Sequence, residues 1–416
     1  MSSNQDAEFT TKEDWLKEGD AHLDSTGRRS EKALAAYERA LQMDAIFVPA
    51  LSGKALALDQ LKRYAEALAT SEQTIQLDPT DVRAWCARGS ALRGLKRYEE
   101  SLAAAQRAIE LNPTYAEAYC VKGAALLYLQ RYEEALAACA QAIQLDPTHT
   151  TAFISKGNAL SNLNRYEEAL AAYEQAIQLD PTHAFAFNGK GSAFYNLKRY
   201  EEALAAYERT IELGDPRQVV ALCNKGATLS RLKCYEEALA VYEQAIDIEP
   251  TTIGWTGKGY TLSCLGRNEK ALAAYEQAIQ LDANYWSAYE GKGFVFSRLK
   301  HHEEALDAYE QAIHLNPTAI RWNQRGQMLS RLKRYEEALA AYEQAIQIDP
   351  TSRDAWVGRG EMLIRLKRYE EALAAYERTI ELDPRLASAY VGKGDALNAL
   401  GRKKDAQRVY QQARWL

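Results

Sequence analysis

Apolar and small residues fall on helical beats along nearly the whole chain. Over residues 353–386, Trp356, Gly360 and Leu363 stand at i, i+4 and i+7, one stripe of an amphipathic helix. Ala372, Tyr376 and Thr379 repeat that spacing on a second helix. The polar stretch "RLKRYEE" between them predicts a short turn. Pro384 cannot continue a helix and ends the second element. Thr follows the equivalent proline at Thr80, Thr114, Thr148 and Thr182, where it is expected to cap the next helix.

This helix–turn–helix figure recurs. "RYEEALAAYEQAIQLDPT" at 165–182 returns with one change at 334–351. Pro79, Pro113, Pro147 and Pro181 lie 34 residues apart, and the beat continues through Pro216, Pro250, Pro317, Pro350 and Pro384. A glycine keeps the same period from Gly89 and Gly123 to Gly360 and Gly394. With that glycine at position 8, twelve repeats follow: 12–47, 48–81, 82–115, 116–149, 150–183, 184–218, 219–251, 252–285, 286–318, 319–352, 353–386 and 387–416. The first has two extra residues near "DSTGRR" and the sixth has one in "LGDPRQ"; the seventh and ninth each lack one, and the last stops early. Gly360 is expected to face Ala372, letting the two helices approach closely. Only Ala55 replaces the glycine and only Ser101 the alanine. One repeat buries too little to offset the ordering of its chain, so each repeat must cover its neighbour's apolar face.

This arrangement resembles the tetratricopeptide repeat family, whose pattern is W-x2-L-G-x2-Y, then A-x3-F, then P. Here Trp356-x2-Arg359-Gly360-x2-Leu363 precedes Ala372-x3-Tyr376 and Pro384. The match spans 12–416, with residues 1–11 expected to be a disordered tail. The resemblance implies an all-α fold, a single right-handed α-solenoid superhelix of twelve helix–turn–helix repeats. First helices would line a concave groove, and the groove would bind proteins or peptides.

Two departures stand out. The residue before the repeat glycine is basic in every repeat but the first, from Lys54 and Arg88 to Arg359 and Lys393. A buried unpaired cation is prohibitive. The favoured reading is a packed stem whose head reaches water or a second-helix glutamate; the alternative is a basic ladder for an anionic ligand. Second, Tyr holds the second-helix aromatic site in nine repeats, whereas repeats two to four have Ser71, Ala105 and Cys139. Larger neighbours are expected to fill that space, since interiors tolerate few voids.

The resemblance places positions 2, 5, 9, 12 and 13 of the first helix on the groove. Asn158, Asn162, Asn188 and Asn196 fall there, and Asn224 lies one place along, at position 6. An amide both donates and accepts, so such residues can clamp a peptide backbone; they can equally solvate a helix face. Tyr128, Phe185, Tyr195, Tyr260 and Phe294 are candidate pockets for side chains. Arg231, Arg298, Arg331 and Arg365 share position 13, but Glu290, Asp354 and Glu361 in the same stretch prevent a uniformly positive track. The partner-binding expectation rests on Tyr128, Asn158, Asn162, Phe185, Asn188, Tyr195, Asn196, Asn224, Tyr260, Phe294, Arg298 and Arg331. No Lys/Asn carboxylate clamp like that of chaperone-binding members is visible.

Composition narrows the function. With 51 basic and 57 acidic residues the net charge is −6, which disfavours nucleic acid and anionic membranes. Apolar residues make up 47%, enough for a large core. Cys86, Cys120, Cys139, Cys223, Cys234 and Cys264 show no CxxC pair or Cys/His metal spacing, which fits a reducing compartment. The polar start and the lack of long apolar runs point to a soluble cytoplasmic protein. No HExxH, GxSxG, Walker A or GxGxxG motif occurs, and the histidines have no spaced metal partner, so neither cofactor nor metal is expected. Glu pairs such as Glu167–Glu168 recur in most repeats; an active site is singular, so these are framework.

Three functions remain. The first is a non-catalytic interaction scaffold binding a peptide or protein in the groove. The second is a regulatory or sensor arm of a separate, bacterial effector enzyme. The third, disfavoured by charge, is an RNA-binding solenoid. Trp415 and Leu416, with no capping helix after them in this sequence, are expected to offer an apolar surface for docking another chain or copy. Near-identity of the repeats points to recent duplication or consensus-like engineering.

Overall fold

The computed structural model describes residues 11–23, 29–214 and 218–416. The expected tail up to residue 10, the "DSTGRR" insertion up to residue 28, and Pro216 lie outside the described residues. Within them the chain is all-helical, with no strand. Each repeat is a pair of helices. In the first six these are α1 Lys12–His22 and α2 Ser30–Met43, α3 Val48–Gln60 and α4 Tyr64–Leu77, α5 Val82–Gly94 and α6 Tyr98–Leu111, α7 Ala116–Tyr128 and α8 Tyr132–Leu145, α9 Thr150–Asn162 and α10 Tyr166–Leu179, and α11 Ala184–Asn196 and α12 Tyr200–Glu212. The next six are α13 Gln218–Arg231 and α14 Tyr235–Ile248, α15 Thr252–Cys264 and α16 Asn268–Leu281, α17 Trp286–Arg298 and α18 His302–Leu315, α19 Ala319–Arg331 and α20 Tyr335–Ile348, α21 Arg353–Arg365 and α22 Tyr369–Leu382, and α23 Ala387–Ala399 and α24 Lys403–Arg414. The chain divides into two compact units, Met1–Asn224 and Lys225–Leu416, each considered by itself.

From α1 to α12, and again from α14 to α24, each helix packs on the next one in sequence. Odd-numbered helices also touch one another: α1 with α3, α3 with α5, α5 with α7, α7 with α9 and α9 with α11 in the first unit, and α15 with α17, α19 with α21 and α21 with α23 in the second. No two even-numbered helices approach as closely among the described residues. The odd helices therefore form the inner wall of each unit.

The repeat glycine does not chiefly face the alanine. A Cβ on Gly360 would meet the Tyr376 ring at 2.8 Å, and Ala372 is not among its nearest neighbours. The ring's other face lies on a second glycine, at position 6 of the following repeat. Tyr173 shows the arrangement, with a Cβ on either Gly157 or Gly189 falling 2.6 Å from its ring. Tyr37, Tyr242, Tyr275, Tyr342 and Tyr376 are held between two glycines in the same way. Each ring is thus a wedge in a slot that only hydrogen atoms leave wide enough. Where the ring is missing, a larger neighbour takes the slot beside Ala105, as expected, and the Cys139 thiol lies against its own repeat glycine. Ala87, Val121 and Ser155 follow Ser71, Ala105 and Cys139 at position 6. The Val121 side chain comes within 2.8 Å of a Cβ on Gly89, and Cys139 Sγ within 2.7 Å of one on Gly123.

From the second repeat on, the turn inside each repeat is a left-handed C-cap. Lys62 has φ 61°, and Lys96, Gln130, Asn164, Lys198, Lys233, Lys300, Lys333 and Lys367 take the same conformation; Gly266 and Gly401 hold it elsewhere. Arg63 N–H donates to Leu58 O at 2.9 Å and Lys62 N–H to Asp59 O at 2.9 Å, the Schellman pair that satisfies the last carbonyls of α3.

The threonine caps are corrected. Thr80, Thr114, Thr148 and Thr182 do not cap the following helix; their hydroxyls and N–H groups donate back to Asp78, Asn112, Asp146 and Asp180 at 2.7–3.0 Å. The N-cap falls one residue later, on Asp81, Tyr115, His149 and His183. Repeats seven and nine lack one residue, and there Thr251 and Thr318 do reach the N-cap and accept from Gly254 and Arg321 N–H.

The basic column is paired, as its packed-stem reading expects. Lys54 meets Glu38 at 3.1 Å, Lys190 meets Glu174 at 2.9 Å, Arg325 meets Glu310 at 2.9 Å and Lys393 meets Glu377 at 3.0 Å. Each glutamate belongs to the second helix of the preceding repeat, so the pairs cross repeat boundaries. Several of these cations also lie over an aromatic ring of their own helix, as Arg359 does over Trp356. Lys156 has Ala140 at the position its partner would occupy.

Candidate functional site

The inner wall carries the sequence-predicted residues, and their surroundings sort them. Asn158 Oδ1 accepts from the buried Tyr173 hydroxyl at 2.7 Å, so half of this amide is committed to the core. The same position supplies the acceptor in other repeats, Asp20 for Tyr37 and Asp395 for Tyr410. Asn162 and Asn196 are exposed, but their Nδ2 groups donate to Asn158 O at 2.9 Å and Ser192 O at 2.8 Å of their own helices. Asn188 and Asn224 come together, Nδ2 of Asn224 donating to Asn188 Oδ1 at 3.2 Å. A row of five free amides is therefore not what the wall presents.

The aromatic residues are distributed differently. Phe185 and Tyr195 are half-buried against the core around Tyr173 and Tyr207, and Tyr195 meets Tyr200 edge-on at 5.7 Å. Tyr128 is 57% exposed and stacks flat on Tyr98 at 4.9 Å. Tyr260 and Phe294 are each 49% exposed. They hold position 9 of adjoining repeats, on α15 and α17, which touch. Arg298 lies over Phe294 at 5.9 Å and donates to Ser263 O at 2.7 Å, linking the same two helices. Arg331 is exposed at the end of α19.

Three groups on the wall escaped the sequence reading. Asp59 Oδ1 and Arg93 Nε are buried and make no hydrogen bond. Burial pushes the Asp59 carboxyl up to about 6; Arg93 opposes this and Glu117 adds to it. In the second unit, Arg321 is buried over the Trp286 ring at 3.8 Å and bonds Asn316 O at 2.8 Å and Glu290 at 3.2 Å. The third group is Glu117, Cys120 and His149, whose donor atoms all lie within 4.8 Å of one another. Glu117 and Cys120 are one helical step apart on α7. His149 is 32 residues beyond Glu117, and repeat stacking brings it back, a signal visible only once the period is used to fold the sequence.

Family models agree with this architecture. One described as tetratricopeptide repeat matches residues 16–82, 154–217, 295–353, 323–387 and 368–414. A second of that description matches 82–115, 116–149 and 219–251, and one described as TPR repeat matches 259–300. The chain belongs to the tetratricopeptide repeat family. No curated protein matches it. Among solved structures it is similar to two of MamA and one of YrrB, described as a TPR protein with an unusual peptide-binding site. The MamA structures are both 21% identical, covering 37% and 39% of this chain and 91% and 89% of theirs, with TM-scores of 0.36 and 0.38. YrrB is 24% identical, covering 48% of this chain and 99% of its own, with a TM-score of 0.36. No helix among the described residues is long and apolar enough to cross a membrane.

Proposed function

We propose that this chain is a non-catalytic interaction scaffold that binds a peptide or protein segment along the inner wall of odd-numbered helices. The observation that carries the reading is the pair Tyr260 and Phe294. Two large rings, each half exposed, occupy one position of adjoining helices where the framework sets no requirement for an aromatic residue. Rings so placed are pre-organised anchors for apolar side chains of an extended ligand. Arg298, fixed by Ser263 and stacked on Phe294, adds a cation beside them. Tyr128 on Tyr98 offers a similar flat surface in the first unit.

Peptides selected from a random display library against the purified chain provide the test. Tyr260→Ala and Phe294→Ala should each weaken a selected peptide about tenfold or more, since central aromatic anchors commonly carry over 1–2 kcal/mol. Gln280, exposed on the even-numbered helix α16, supplies the control: Gln280→Ala should leave affinity unchanged. Equal affinity of both aromatic variants and the parent rejects this assignment.

A further inference from the structure

We propose that Glu117, Cys120 and His149 form a binding site for a single zinc ion on the inner wall of the first unit. The three side chains offer one oxygen, one sulfur and one nitrogen, all within 4.8 Å of one another. In a tetrahedral zinc site with bonds of about 2.0–2.3 Å, donor atoms stand about 3.3–3.6 Å apart. His149 Nε2 is already 2.9 Å from Glu117 Oε2, so an ion between them takes the place of the shared proton.

The backbone holds the three donors firmly. Glu117 and Cys120 lie three residues apart on one face of α7. His149 is the residue that opens α9, set beside α7 by the repeat boundary. No neighbouring repeat gathers the same set. Repeat three has Arg83, Cys86 and Tyr115 at these positions, and repeat five has Thr151, Ile154 and His183.

The donor chemistry selects the metal. Thiolate and imidazole with one carboxylate suit zinc, whereas magnesium and calcium require oxygen. Glu117 and Cys120 as anions and His149 as a neutral ring balance the charge of the ion. Burial holds the free thiol of Cys120 well above its ordinary range, with Glu117, Cys139 and Cys86 adding to this and Arg93 opposing it. Burial also disfavours a charged His149, but Glu117 outweighs it and raises the ring's pKa. Zinc entry therefore displaces the thiol proton and the proton held between His149 and Glu117. The nearby Arg93 guanidinium opposes the ion and favours the thiolate. The Glu117 side chain keeps 39% of its surface exposed, so water reaches the carboxylate side of the site.

The experiment is a zinc titration of the full chain against a chromophoric chelator, with cobalt substituted in parallel. One zinc per chain is expected, and the cobalt form should show a thiolate-to-cobalt charge-transfer band. Cys120→Ser and His149→Gln should each weaken zinc at least tenfold, since even outer-shell changes cost that much. Glu117→Gln should weaken it as well, while Cys86→Ser and His183→Gln should not. Circular dichroism checks that each variant is folded; His149 lies at a helix end, so its replacement tests the site even where Cys120→Ser perturbs the core. Absence of stoichiometric binding at micromolar free zinc overturns the proposal. So does a cobalt spectrum without the thiolate band, or unchanged affinity in folded His149→Gln.

Discussion

The wedged tyrosines make glycine a demanding residue here. Alanine normally favours a helix over glycine by roughly 0.5–1 kcal/mol. At Gly189 the added methyl would lie 2.6 Å from the Tyr173 ring, and overpacking of that kind costs about 1–3 kcal/mol. Gly189→Ala should therefore lower the urea midpoint, and Tyr173→Leu in the same chain should recover part of the loss. Lys333 sits at φ 63°, where a side chain is strained and glycine is not. Lys333→Gly should stabilise by up to about 1 kcal/mol; a falling midpoint would show the lysine to be unstrained. Asp59 gives a pH dependence. Its folded pKa of about 6 exceeds the ordinary carboxyl value of 3.8, so the folded state holds the proton more tightly. Its penalty is complete above about pH 6 and is relieved as pH falls toward about 4. Asp59→Asn should stabilise by on the order of 1–3 kcal/mol at about pH 8 and by little at about pH 4, with Arg93 and Glu117 the charges that face it. Denaturant titrations at both pH values read the difference.

At the scale of elements, helix existence and order were legible because proline, glycine and the apolar stripe repeat with one period. What surrounds each helix was less so. The aspartate two residues before Thr80 competes for its hydroxyl, and the competition is local and invisible to a cap rule that counts only residue type. The ring slot was missed because its second glycine belongs to the following repeat: Gly189 serves Tyr173, not Tyr207. The meeting of His149 with Glu117 was hidden differently, because the two stand at opposite ends of one repeat, 32 residues apart. Of the candidate wall residues, Tyr128, Tyr260 and Phe294 are exposed as their positions suggested, Phe185 and Tyr195 are drawn into the core, and the duty of Asn158 toward Tyr173 required the packing of α9 on α10. One gap in the basic column invites repair. Ala140→Glu on α8 should give Lys156 on α9 its missing acid, adding about 0.2–1 kcal/mol at low salt and less in high salt. Thermal melts at two ionic strengths measure it.

At the scale of the molecule, the described helices pack chiefly on near neighbours in sequence order, so stability within each unit is largely a sum of local terms rather than one global core. Gly392→Ala should reduce amide-exchange protection in α22, α23 and α24 and leave α3 to α8 unchanged; uniform loss across the chain would contradict this. The ion pairs between a first-helix cation and the preceding repeat's glutamate have a further consequence. Every copy that carries both presents an acid on its trailing side and a base on its leading side, as repeat 319–352 does with Glu343 and Arg325, so a duplicated repeat of this kind arrives with both halves of the joint it needs. Elongation by whole copies therefore requires no new complementary surface, and the ancestry of the array is written in its own couplings.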